Sequence, residues 1–248
     1  MMRTQIPQQA QNELQTCYSG TNELWANERC LEKYNHHIVS KFASQLKSND
    51  RILEFGAGIG TLASIFREVY SVKPHCIEID PALREILIER EFSVYENSQS
   101  AQGPYSLIYT SNVLEHIPDD LESLKDMHNL LEAGGSLMIY VPAFMFLYSP
   151  ADAALGHYRR YTKRELCDKL KLANFSIHSC RYSDSIGFFA WLTTRFFRSS
   201  TQNKISSDSS LKFYDRFIFP ISHFLDEMGF KYFFGKNILI HAIKMQGE

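Results

Sequence analysis

Two carboxylates and three glycines stand close enough in this chain to form one binding site. Glu54 closes the apolar run Arg51-Ile-Leu, Phe55 follows, and glycines occupy 56, 58 and 60 with Ala57 and Ile59 between them. Glycine takes positive φ without strain and lets a ligand lie against the main chain. A helical pattern opens at Thr61, and a helix start presents unpaired N–H groups and a positive dipole end to the same place. Alone, the loop reads either as an ordinary strand-to-helix turn or as a cradle for a nucleotide-like or zwitterionic ligand. The second acid favours the cradle. Glu78 ends the next short apolar strand about 20 residues on, where a βαβ unit sets a carboxylate to receive a ribose diol, and Ile79 follows it.

The loop also separates two cofactor classes. Nicotinamide sites favour Gly-x-Gly-x-x-Gly around a pyrophosphate, which a carboxylate at Glu54 would repel. Here the order is Glu-x-Gly-x-Gly-x-Gly, which suits a cationic amine. On these residues the chain resembles the class I S-adenosylmethionine-dependent methyltransferases, with Glu54, Gly56, Gly58 and Gly60 matching their first motif position by position. The resemblance implies S-adenosylmethionine as cofactor, with Glu54 facing its methionine end. It implies a contact set of Glu54, Gly56, Ala57, Gly58, Gly60, Glu78 and Ile79. Ser98, from the segment Glu96–Gln99 after the third strand, is the candidate for reading adenine. Asn112 and Leu114 join from Asn112-Val-Leu-Glu-His116, which also resembles the family. Ser106 stands where relatives usually have an aspartate, so one supporting contact is missing.

A sulfonium is already activated, so methyl transfer asks mainly for alignment and exclusion of water. A hydroxyl acceptor also asks for a base, and histidine titrates in the right range. His116, on the loop after the fourth strand, is the first candidate and His157 the second. The alternative is that His116 only orders its loop. Gly156-His-Tyr-Arg-Arg-Tyr161 resembles a bacterial subset of the family that accompanies sugar and glycolipid enzymes. Tyr158, Arg159, Arg160 and Tyr161 could grip a phosphate or carboxylate, or the arginines could pair with Asp152 or Glu165. The expected activity is methyl transfer to a small-molecule, sugar or lipid-linked acceptor at oxygen. A nicotinamide-dependent oxidoreductase and a non-catalytic S-adenosylmethionine-binding module stand as alternatives. No Asn/Asp-Pro-Pro-Tyr/Phe motif follows the fourth strand, which argues against an adenine acceptor, and no carboxylate cluster suggests a metal.

The elements that must position these residues follow from periodicity. Apolar strand-length runs at 51–55, within 71–80, and at 92–95, 105–110, 136–141, 175–182 and 236–243 alternate with amphipathic helices, the pattern of a doubly wound parallel sheet. The family resemblance adds that the last strand is antiparallel and lies beside the fifth. The fold class expected is α/β, Rossmann-like, with a helical cap. Leu31, Tyr34, Ile38, Phe42 and Leu46 predict one long helix ahead of the first strand. Residues 1–21 read as a mobile tail and 22–248 as a single domain with cap segments at 22–48, 143–162 and 186–233. The aromatic-rich Ile186–Arg198 is either a cap helix or a face for peripheral contact with lipid; Thr201–Ser210 reads as a flexible loop.

With 248 residues and a net charge of −2, the chain can bury a full core and has no basic excess to suggest nucleic acid. Its five scattered cysteines form no Cys-x-x-Cys pair, so they read as reduced thiols with no zinc site. No signal peptide or transmembrane run is read, and a cytoplasmic location is expected. The oligomeric state is not written in the sequence.

Overall fold

A computed structural model describes residues 20–47, 50–197 and 207–245. Most of the expected tail and of the expected Ser-rich loop lies outside the described residues. Seven strands, β1 (Ile52–Phe55), β2 (His75–Ile77), β3 (Ser93–Tyr95), β4 (Tyr105–Ser111), β5 (Leu131–Pro142), β6 (Phe175–Ser183) and β7 (Asn237–Lys244), make one sheet in the order β3-β2-β1-β4-β5-β7-β6. The first five pair in parallel, and β7 runs antiparallel to both β5 and β6. This is the expected Rossmann-like sheet, with the last strand inserted beside the fifth.

Alternation along the parallel strands divides the core. Leu53, Ile108 and Ile139 face α5 (Asp120–Leu130) and α7 (Lys163–Leu172) through Leu124, Met127, Leu166 and Leu170. Ile52, Leu107 and Tyr109 face the opposite layer. There α2 (Glu32–Ala43) contributes Ile38 and Phe42, α3 (Thr61–Tyr70) contributes Ile65 and Phe66, and α10 (Phe219–Glu227) contributes Phe219. Burying each such side chain contributes about 1.5–3 kcal/mol. α4 (Pro81–Glu89) starts at a proline, with Asp80 accepting from the Ala82 N–H at 2.8 Å.

The single long N-terminal helix is a correction. The chain forms α1 (Thr21–Cys30) and α2, broken at Leu31, which has no side chain able to cap the second helix. Asp215 does so from the far end of the chain, accepting from the N–H groups of Lys33 at 3.1 Å and Tyr34 at 2.9 Å. A carboxylate against the first turn satisfies two orphan donors and meets the positive dipole end. After α8 (Ser185–Phe197), Asp215 lies in a π-helical turn, Tyr214–Ile218, that joins α9 (Asp208–Phe213) to α10. A buried hydroxyl cluster fastens the same layers. Asn237 donates to both Tyr34 and Tyr140, each at 3.0 Å.

The site end of the sheet is marked by backbone strain. Asn112 after β4, Phe144 after β5 and Asp184 after β6 all have positive φ, at 53°, 63° and 65°. Residues other than glycine adopt this region when their surroundings force it.

Candidate active site

At the end of β1 the glycines at 56, 58 and 60 have φ of 76°, 56° and 82°. A Cβ on Gly56 would stand 2.5 Å from Val113, and one on Gly60 2.7 Å from Leu87, so neither position admits a side chain. The Gly56 and Ala57 N–H groups donate to the Ile77 carbonyl at 2.9 and 3.0 Å, tying the loop to β2. Leu24 of α1 lies over Gly58, 3.2 Å from where its Cβ would be. α1 is held there by Arg90, which donates twice to Glu28 at 2.7 and 3.0 Å and stacks on Trp25.

Glu54 and Glu78 both lie beneath this loop and are buried. Glu54 accepts from the Tyr109 hydroxyl at 3.0 Å, and burial pushes its carboxyl up to about 8 despite that bond. Among the described residues no cation acts on it. Glu78 is oriented by two main-chain donors, Gly58 N–H at 2.7 Å on one oxygen and Asp80 N–H at 3.0 Å on the other; burial raises it as well. Each oxygen keeps a lone pair for a further donor. Beside it Ile79 is 78% exposed, an apolar surface where a purine could rest.

The remaining cofactor-side residues divide. Asn112 is exposed, with its N–H on the Tyr140 carbonyl at 2.8 Å. The Leu114 side chain is fully buried in the core, so only its main chain is left to meet a ligand. Ser98 gives its hydroxyl proton to Asp126 of α5, a partner the sequence reading missed.

His116 and His157, on two different loops, meet edge to face with ring centroids 4.6 Å apart. His157 Nδ1 lies 2.9 Å from Asp152, in α6 (Pro150–Ala154). Burial, then the neighbouring His157, lowers His116 to about 4, which keeps its ring neutral and makes it a weak base. Burial alone would raise Asp152, but the bonds from His157 and Arg160 outweigh it and hold the acid at about 2. Glu115, fully buried next to His116, was not singled out in the sequence; burial raises it to about 8.

Of the two readings of the Gly156–Tyr161 loop, the arginines follow internal pairing. Arg160 is buried, bonds Asp152 at 2.8 and 2.9 Å, and stacks over Trp191. Arg159 pairs with Asp120 at 3.0 Å and donates to the Pro118 carbonyl. Tyr161 is buried with its hydroxyl on Asp120 at 2.7 Å. Tyr158 alone of the four is exposed. Thr162 and Glu165 cap α7 reciprocally, as their spacing implies.

The profile of a methyltransferase domain matches residues 26–179, more than half of the chain, including both acids, the glycine loop and both histidines. The chain belongs to the methyltransferase domain family. No curated protein matches this methyltransferase in sequence, so likeness beyond the family comes from solved structures. Similar to it is the S-adenosylmethionine-dependent methyltransferase of Archaeoglobus fulgidus, at 13% identity and TM-score 0.59, covering 90% of this chain and 99% of that one. The Haloferax volcanii chain solved in complex with the Trm112 methyltransferase activator matches at 10% identity and TM-score 0.60, over 94% and 99%. Phosphoethanolamine N-methyltransferase 2 of Haemonchus contortus, solved with S-adenosyl-L-methionine, matches at 17% identity and TM-score 0.54, over 86% of this chain and 52% of that one. Identities this low speak for the fold. The donor set of this methyltransferase also fits the cofactor: a buried acid short of a cation, an oriented acid for a diol, and a glycine loop closed to side chains.

Proposed function

We propose that this methyltransferase, with S-adenosylmethionine as its cofactor, methylates a hydroxyl of a small-molecule, sugar or lipid-linked acceptor at the His116–His157 cluster. Glu78 would hold the ribose and Glu54 the cationic amino-acid end, with Ser98 and Ile79 toward adenine. The observation that carries the reading is a short physical link. Val113 packs on Gly56, and His116, three residues on, faces His157. This link supports reading the cofactor loop and the imidazole pair as parts of one site. When bound, the cofactor supplies an electrophilic methyl carbon. Transfer would join the acceptor oxygen to that carbon and leave the electron pair of the broken bond on sulfur, and the residues of the cluster would take up the hydroxyl proton. His157, oriented by Asp152, is the better placed of the two rings to receive it, since His116 is too weakly basic. The acid at Glu54 speaks against a pyrophosphate, so the nicotinamide reading is not favoured.

An apolar stripe supports a lipid-linked acceptor within this class. Phe213, Phe217, Ile221, Phe224 and Met228 recur at spacings of three and four along α9, the π turn and α10, each between 51% and 64% exposed. Such a face suits contact with acyl chains at a membrane surface. Among the described residues no helix is long and apolar enough to cross a membrane.

The protein is incubated with methyl-labelled S-adenosylmethionine and either an organic or an aqueous cell extract, and products are identified by mass spectrometry. Label on an oxygen of an organic-phase product is expected, reduced about 100-fold or more in His157→Asn. Label on nitrogen or carbon, or no product from protein that binds S-adenosylhomocysteine, would overturn the reading.

A further inference from the structure

Glu115 is fully buried, and neither carboxylate oxygen has a hydrogen-bond partner among the described residues. An unpaired carboxylate inside a protein costs several kcal/mol. An acid held this way needs a proton or a cation. The Arg160 guanidinium, whose charge reaches Glu115, is bonded to Asp152 instead. One donor atom from each of Glu115, His116 and His157 lies within 4.8 Å of the others.

The groups behind the two rings are those that set a ligand. With Asp152 taking the Nδ1 proton of His157, the lone pair of that ring is on Nε2. A carboxylate in this position fixes the tautomer and makes the ring a better donor. The Leu155 carbonyl lies within hydrogen-bonding reach of the His116 ring.

We infer that Glu115, His116 and His157 bind one divalent transition-metal ion, with Asp152 positioning His157. Two imidazoles and one carboxylate favour zinc over magnesium or calcium, and three protein donors leave a coordination position open. Donors about 2.1 Å from one ion stand roughly 3.4 Å apart. The three groups therefore draw in by about an ångström, within reach of side-chain rotation. Neither the carboxylates nor the cysteine spacing signalled this site, because its donors come from two loops.

The ion's use rests on the proposed methyl transfer; its presence does not. A hydroxyl at the open position becomes more acidic and releases its proton to water. With the ion bound both imidazoles are ligands and the role of base given above to His157 passes to water; His157 takes the proton only in protein without the ion.

The test uses the full chain, stripped with a chelator and titrated with Zn²⁺ by calorimetry and with Co²⁺ by visible absorption. S-adenosylhomocysteine is titrated in parallel to report folding and the cofactor site. One ion per chain is expected, with the visible band of nitrogen- and oxygen-bound Co²⁺. Affinity should fall about 100-fold or more in Glu115→Gln and in His157→Asn, and about 10- to 100-fold in Asp152→Asn, with S-adenosylhomocysteine still bound. Wild-type protein that binds S-adenosylhomocysteine but takes up no ion sinks the proposal, as does Zn²⁺ binding indifferent to Glu115→Gln and His157→Asn. Where a variant does not fold, the Co²⁺ spectrum of the wild type decides: a band of ligand-bound cobalt upholds the site and the spectrum of the free aqueous ion rejects it. Ion uptake without S-adenosylhomocysteine binding upholds the ion site and counts against the methyl-transfer reading.

Discussion

The two halves of this sheet edge are held together by different materials. Around β1 and β2 the ties are largely main chain: Gly56, Ala57 and Gly58 donate to Ile77 or Glu78, all within one βαβ unit. In the other half they are side chains from distant parts of the sequence, with Arg160 on Asp152, Arg159 and Tyr161 on Asp120, and Asp215 on the start of α2. A backbone cradle tolerates little besides glycine but asks nothing of the rest of the chain. A side-chain network can change its specificity by substitution, yet each member depends on partners far away.

The contrast is open to attack. The largest effect is expected in the cradle. In Gly56→Ala the new methyl meets Val113 at 2.5 Å with φ at 76°, combining about 1–2 kcal/mol of left-handed strain with about 1–3 kcal/mol of overpacking. S-adenosylhomocysteine affinity measured calorimetrically should drop at least about tenfold; unchanged affinity would show that the loop is not the cradle.

A smaller effect is expected from the long-range side. Asp215→Ala orphans two main-chain donors of α2 and should lower stability by about 1–2 kcal/mol in urea unfolding. A change near zero would mean that water or another group caps the helix equally well, and the two halves would differ less than drawn here.

The smallest signal is a fraction of a proton. Glu54 sits at about 8 in the free protein, so it is mostly protonated at pH 7, and a cationic ligand favours its ionised form. Cofactor binding at pH 7 should release a proton in part, read from calorimetry in two buffers of different ionisation enthalpy, and Glu54→Gln should remove that release. Linkage gives the matching sign for the fold. Because burial raises this carboxyl, its contribution to stability is full below the unfolded value near 4.5 and is lost as pH rises through about 8. If proton release were the same in Glu54→Gln, the acid would not meet the cationic end.

What could be seen in the sequence follows the same division. The parallel strands, the capping of α7 and the positions of Glu54, Glu78 and the glycines depend on residues within a turn or a βαβ unit, whereas the place of the last strand came only from the family resemblance. The break at Leu31 did not show, because its cap comes from Asp215, and the helical pattern that opens near Asn22 runs on through 31 as though the helix were unbroken. Arg159 and Arg160 offered two readings, and only the positions of Asp120 and Asp152 choose between them. Glu115 stands beside His116 in plain view, yet nothing in one dimension marks it as buried and unpartnered. Tyr109, which bonds Glu54, looks like any aromatic residue on a strand.

The placement of β7 has a consequence for how the molecule comes into being. Among the described residues β6 pairs with β7 alone, and β7 fills the space between β6 and β5. During synthesis the ribosome delivers β6 well before that partner, so the facing edges of β5 and β6 wait unpaired. The β1–β4 half can close early, while the half around β5 and β6 stays open until β7 arrives.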